Sequence, residues 1–178
     1  VFNKPIAYFT TYHTYGTWLH GADKGSVDPS HNQYGQPFIP PSVSTVSRDQ
    51  DNLEHEPLVL AADQRRCVEA TIRAVCEFKG WFLQAVNVRT NHVHLVVSAD
   101  ETPERVMNTL KSWSTRRLVE ANLLDHGRKA WSRHGSTRYL WNKDQLAQAC
   151  HYTLHEQGPP LSPSETRPSG SVNDHQHP

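Results

Sequence analysis

The sequence holds few cysteines, a single methionine and no excess of either charge, and each scarcity closes a class of explanation. Cys67, Cys76 and Cys150 are odd in number, form no C-x-x-C pair and follow no framework spacing. Free buried thiols are therefore expected, not disulfides or a zinc knuckle. Lys plus Arg and Asp plus Glu balance at 18 each, so no global positive field announces nucleic acid, and any such argument rests on local charge. There is no apolar run of about 18 residues and no charged-then-apolar leader, which argues against a membrane span or secretory signal. The expectation is a soluble, cytoplasmic protein with no membrane partner. The chain begins at Val1, not at methionine, and the expectation is that a few N-terminal residues are missing or processed.

The chain has 178 residues, 36% of them hydrophobic, with five Trp and six Tyr. That is enough for one core but not for two. Ile6 to Gly16 is dense in β-branched and aromatic residues and reads as a first strand ended by glycine. Residues 22–57 carry five of the twelve prolines and the acidic Asp49, Asp51, Glu54 and Glu56. Compact domains seldom hold so long a structureless loop unless it is functional or mobile, so this stretch reads as an insertion, a flap or a partly disordered segment.

From Ala61 the period changes to three and four, with Cys67, Val68, Thr71, Ile72, Val75 and Phe78 forming one apolar stripe and Gly80 standing just past the end. This is an amphipathic helix. Trp81 to Val88 reads as a strand, Arg89-Thr90-Asn91 as a tight turn and His92 to Ser98 as the returning strand. Thr102-Pro103 opens a second helix with Val106, Met107, Leu110, Trp113, Leu118 and Val119 on its stripe. Trp131 to Trp141 reads as an irregular or short-stranded piece closing the sheet, and Asp144 to Glu156 as a third helix with Leu146, Ala147, Cys150 and Leu154 inward. Residues 159–178 are too poor in apolar side chains to order themselves and read as a tail. The order predicts an α+β fold over residues 1–158: a ferredoxin-like antiparallel sheet with helices on one face, plus an added C-terminal helix.

Two stretches carry candidate chemistry. In a strand, residues i and i+2 share a face, so His92 and His94 project together and can offer two imidazoles to a divalent metal. Isolated H-x-H pairs are also simply the polar positions of half-buried strands. The third helix carries His151-Tyr152-Thr153-Leu154-His155-Glu156-Gln157, where Tyr152 shares a face with His155 and Glu156. A phenol with a pKa near 10 becomes a nucleophile only beside a base or a strongly polarised electrophile. The alternative is a ring packed on the sheet with its hydroxyl at the surface. Between Lys111 and Lys143, cations outnumber acids and are interleaved with Trp113, Trp131, Tyr139 and Trp141. That pattern suits single-stranded nucleic acid, although a solvated helix face gives similar counts.

Asn91-His92-Val93-His94-Leu95-Val96 resembles the His-hydrophobic-His motif of the HUH nucleases. A single tyrosine, Tyr152, about sixty residues downstream on a C-terminal helix resembles their single-tyrosine branch, the insertion-sequence (IS200-like) and REP-associated tyrosine transposases. The opening Tyr12-His13-Thr14-Tyr15-Gly16-Thr17-Trp18-Leu19-His20-Gly21 is similar to the first strand of that group. The resemblance covers residues 6–158. It implies a metal-dependent DNA strand transferase in which His92 and His94 hold Mg²⁺ or Mn²⁺ and Tyr152 attacks the scissile phosphorus, leaving a 5′-phosphotyrosine and a free 3′-hydroxyl. It also implies a homodimer acting on single-stranded DNA hairpins or palindromes, with Lys111, Arg116, Arg117, Arg133 and Arg138 as DNA contacts. The third ligand in relatives is a Gln one turn after the tyrosine; here that position is Glu156, with Gln157 beside it as the alternative.

Two other readings stand beside this one. A domesticated, non-cleaving relative would bind structured single-stranded DNA or RNA through the basic aromatic segment. A zinc hydrolase would use His92, His94, His151 and His155. Asn91 is read as orienting the turn or a histidine ring, and His13 as able to approach the metal only if its strand neighbours that of His92.

Overall fold

The computed structural model describes residues 4–17 and 54–156. The tail, Gln157 and most of the 22–57 segment lie outside the described residues. Seven elements follow one another: β1 (Ala7–Thr14), α1 (Ala62–Lys79), β2 (Phe82–Val88), β3 (His92–Ser98), α2 (Pro103–Glu120), β4 (Trp131–Leu140) and α3 (Lys143–His155). The strands form one antiparallel sheet in the order β2-β3-β1-β4. This is the α+β, ferredoxin-like arrangement that the element order predicts.

Local chemistry sets the helix boundaries. Gly80 takes the left-handed conformation, φ 67°, that closes α1, and its N–H donates back to the last carbonyls. The Thr102 hydroxyl accepts from the Arg105 N–H at the start of α2, and the Asn142 side chain accepts from the Gln145 N–H at the start of α3.

The inner strands β1 and β3 are buried on one face and partly buried on the other. On one face Tyr12, Val93, Leu95 and Val97 meet Val68 and Ile72 of α1 and Val106, Leu110 and Leu118 of α2. On the other, Ala7, Ala85, Val96 and Leu140 meet Ala149 of α3, with Phe9, Leu146 and Cys150 packed around them. Alternation along each strand makes α1 and α2 one layer and α3 a separate cover on the opposite face. All three cysteines are free.

Three local expectations are corrected. Phe78 is 81% exposed and does not belong to the α1 stripe, whose final buried residues are Val75 and Cys76. On α3, Leu146 and Cys150 pack inward as expected, but the buried positions are Ala149 and Thr153, and Ala147 and Leu154 are exposed. Small side chains there let the helix come close enough for Asn87 Nδ2 to donate to the Thr153 carbonyl at 2.9 Å. The piece from Trp131 is a ten-residue strand, with one shift of register between Tyr12 and Thr14.

Two contacts hold β4 to this layer. A Cβ at Gly135 would lie 2.6 Å from the Thr11 carbonyl oxygen and 2.5 Å from Met107 Sδ, so the strand approaches β1 only because that side chain is absent. Lys111 is buried, donates to the Ser132 and His134 carbonyls at 3.0 and 3.2 Å, and lies over the Tyr12 ring. Desolvation pushes its pKa down to about 8.

Both contacts make predictions. The Gly135→Ala variant should be less stable by about 1–3 kcal/mol, since the Thr11 carbonyl belongs to backbone and cannot swing aside; urea unfolding of the two proteins measures this. Above pH 8 the folded chain releases the Lys111 proton while the unfolded chain keeps it, so stability rises toward the unfolded lysine value of about 10.5. Between about pH 7.5 and 9.5 the wild type should gain on the order of 1–2 kcal/mol relative to Lys111→Met. Equal pH dependence of the two unfolding curves would rule this out.

Candidate active site

The antiparallel register of β1 and β3 places Phe9 across from Val96, Thr11 across from His94 and His13 across from His92. Thr14 N–H donates to the Asn91 carbonyl at 2.9 Å, which makes the Thr14–Asn91 pair hydrogen-bonded. The alternate pairs His13–His92 and Thr11–His94 are consequently of the non-hydrogen-bonded kind, in which facing side chains stand closest. All of them point to the face that α3 covers in part. Their ring centroids lie 4.6 Å apart for His92 and His94 and 5.6 Å apart for His13 and His92.

Each motif histidine has a partner at Nδ1. Asn91 Oδ1 lies 2.7 Å from His92 Nδ1, and Thr11 Oγ1 lies 2.7 Å from His94 Nδ1. With Nδ1–H donating to these oxygens, Nε2 of each ring keeps the lone pair that a metal needs. The donor set therefore fits two positions of a divalent-ion shell. Asn91 takes the role foreseen for it. Thr11 gave no such signal, because its contact exists only through cross-strand register.

Tyr152 comes from α3, which the Asn87–Thr153 bond and the buried Ala149 hold on the sheet. The phenol ring is 40% exposed and packs edge-on against His94, with centroids 5.7 Å apart, and against Phe9 at 5.8 Å. Phe9 in turn stacks on His94 at 5.6 Å and 16°. A helix and two strands thus bring the three rings together.

Glu156 does not join them. It is the C-cap residue of α3, and its non-helical backbone turns the carboxylate to His151 Nδ1 at 3.2 Å. Among the described residues no three His, Cys, Asp or Glu side chains converge in a way that would hold a metal ion. That corrects the four-histidine zinc reading: His151 and His155 pair with each other on exposed turns of α3, 4.9 Å between centroids, and do not form one cluster with His92 and His94.

The five basic residues separate clearly. Lys111 is buried on backbone carbonyls, which corrects its reading as an open phosphate contact. Arg116 lies over Trp113 and Arg117 pairs with Glu120, both on α2 and so beyond the opposite face of the sheet. Arg133 is exposed in the stretch where β4 shifts register. Arg138 pairs across from Phe9 and lays its guanidinium over that ring at 5.5 Å.

A family model described as transposase, IS200-like, matches residues 55–150. The chain belongs to the IS200-like transposase family. The match takes in the histidine strand and most of α3 and stops two residues before Tyr152. No curated protein matches this chain. Two solved structures are similar to it. One is a REP-associated tyrosine transposase bound to a REP hairpin, 12% identical, with a TM-score of 0.49 over 84% of this chain and 65% of that one. The other is a candidate transposase from Deinococcus radiodurans R1, 16% identical, with a TM-score of 0.45 over 83% of this chain and 88% of that one. No helix among the described residues is long and apolar enough to cross a membrane.

If the Nδ1 partners set the tautomers, Asn91→Ala and Thr11→Val should each weaken Mn²⁺ binding by about 10–100-fold. Titration followed by electron paramagnetic resonance of free Mn²⁺ gives the affinities directly. Wild-type affinity in both variants would show that neither partner orients a ligand.

Proposed function

We propose that this IS200-like transposase cuts and rejoins single strands of DNA through a 5′-phosphotyrosine on Tyr152, with His92 and His94 as ligands to Mg²⁺ or Mn²⁺. The observation that carries the reading is the meeting of Tyr152 with His94 on one sheet face, 5.7 Å between ring centroids. A nucleophile and a pair of imidazoles oriented through their Nδ1 partners are parts that a metal-assisted phosphoryl transfer requires. A bound divalent ion supplies Lewis-acid neutralisation of the phosphoryl oxygens.

The protein's own groups do the rest. Tyr152 Oη forms a bond to phosphorus while the bond to the 3′-oxygen breaks, and the electron pair leaves on that oxygen. The proton lost by the phenol passes to solvent, and the 3′-oxygen takes one up to become the free hydroxyl. The phosphotyrosine ester conserves the bond, so attack by a different 3′-hydroxyl rejoins strands without further input. The third ligand comes from the end of α3, where Glu156 would leave His151 or Gln157 would serve instead. Arg133 and Arg138 provide DNA contacts on β4, Arg116 and Arg117 would serve only DNA that passes the helix layer behind the sheet, and Lys111 supports β4. Hairpin or palindromic single strands are the substrate, and a homodimer is the working assembly.

A non-cleaving relative that only binds structured single strands is favoured by one observation, the commitment of Glu156 to His151. The two readings part on a denaturing gel. Incubation with single-stranded oligonucleotides from the DNA flanking the gene, in Mg²⁺ or Mn²⁺, should give a protein–DNA adduct that is absent in Tyr152→Phe and reduced at least about 100-fold in His92→Ala. Binding without any adduct would select the non-cleaving relative.

A further inference from the structure

The Phe9 ring is the meeting point of three groups: His94 stacks on it, Tyr152 meets it edge-on, and the Arg138 guanidinium lies over it. Phosphoryl transfer places negative charge on the non-bridging oxygens, and a guanidinium brought to them stabilises the transition state more than the ground state. We propose that Arg138 is a catalytic residue of this site and contacts the scissile phosphate from the flank opposite the two histidines. The proposal rests on the phosphotyrosine reading above, since it concerns the phosphate that Tyr152 attacks.

Several observations single out Arg138 from the other cations. Its register opposite Phe9 puts it on the sheet face that holds His92, His94 and Tyr152, whereas Arg116 and Arg117 belong to the helix layer behind the sheet. Among the described residues, Arg105, Arg117 and Arg73 are paired with Glu101, Glu120 and Glu69, but no carboxylate pairs with Arg138. Its charge is thus left for an anion. The aromatic face holds the planar guanidinium by cation–π attraction without consuming its N–H donors, all five of which stay available for phosphate oxygens. Position on β4, an edge strand among the described residues, leaves the side chain exposed and able to swing toward an incoming strand. The bonds made and broken are those of the transfer itself. Arg138 keeps its protons throughout and contributes charge alone.

The test separates rate from affinity. Adduct formation is followed at saturating single-stranded DNA with Mn²⁺, and DNA and Mn²⁺ affinities are measured separately, for wild type, Arg138→Ala, Arg138→Lys and the α1 surface control Arg73→Ala. The expected result is a fall of about 100-fold or more in the saturating rate for Arg138→Ala, with DNA affinity weakened less than about fivefold and Mn²⁺ affinity unchanged. Lysine should restore part of the rate by restoring charge, and the Arg73→Ala variant should match wild type. A wild-type saturating rate in Arg138→Ala, with or without weaker DNA binding, overturns the proposal and leaves Arg138 an ordinary phosphate tether. Loss of Mn²⁺ binding in the same variant also overturns it, by showing that the residue acts through the histidines. No adduct with wild type itself is a separate outcome: it removes the phosphotyrosine reading, and the role of Arg138 with it.

Discussion

Everything at the candidate site depends on the antiparallel pairing of β1 with β3. Because side chains alternate between faces, a slip of one residue would drive His92 and His94 into the apolar layer beneath α1 and α2 and bring Val93 and Leu95 to the open face. Burial prevents that slip. Val93, Leu95 and Val97 are fully buried on the helix side, and exposing them would cost about 1.5–3 kcal/mol each. The core that specifies the register is therefore also what aims the imidazoles, and the same pairing delivers Thr11 to His94.

Tyr152 reaches the site by a different route. α3 does not share the main core; it lies on the second face through a small cluster in which Ala149 and Thr153 are the buried contacts. Small side chains give little apolar burial but allow close approach, and the bond from Asn87 to the Thr153 carbonyl fixes where the helix sits along β2. The site is thus divided between a deeply held strand and a helix held by a smaller cluster and one hydrogen bond.

Charge follows the same division. The sequence is neutral overall, so position decides which cations matter. Lys111 has been taken out of water to hold the β4 backbone, where two carbonyls and the Tyr12 ring face its ammonium. Arg117 is neutralised by a neighbour on its own helix. Arg138 stands on the histidine face, and among the described residues it rests on an aromatic ring, not on an acid.

Much of this was legible in the chain. The periods of two and three to four residues, the glycine after α1 and the threonine before α2 fixed the elements, because those signals are local. His92 and His94 stood out because a strand's alternation alone puts them on one face, and Tyr152 stood out by its place on a C-terminal helix. Thr11, Phe9 and Asn87 carried no such signal: each acts across a strand pair or between a strand and a helix. The same limit applies to Glu156, whose carboxylate meets His151, and to Lys111, which reads as a surface cation until β4 folds over it. The sequence by itself determined the elements, the histidine pair and the tyrosine, since these follow from spacing within one segment. Only the tertiary structure decided which partners hold the rings and which cation lies over Phe9, since those depend on register between segments distant along the chain.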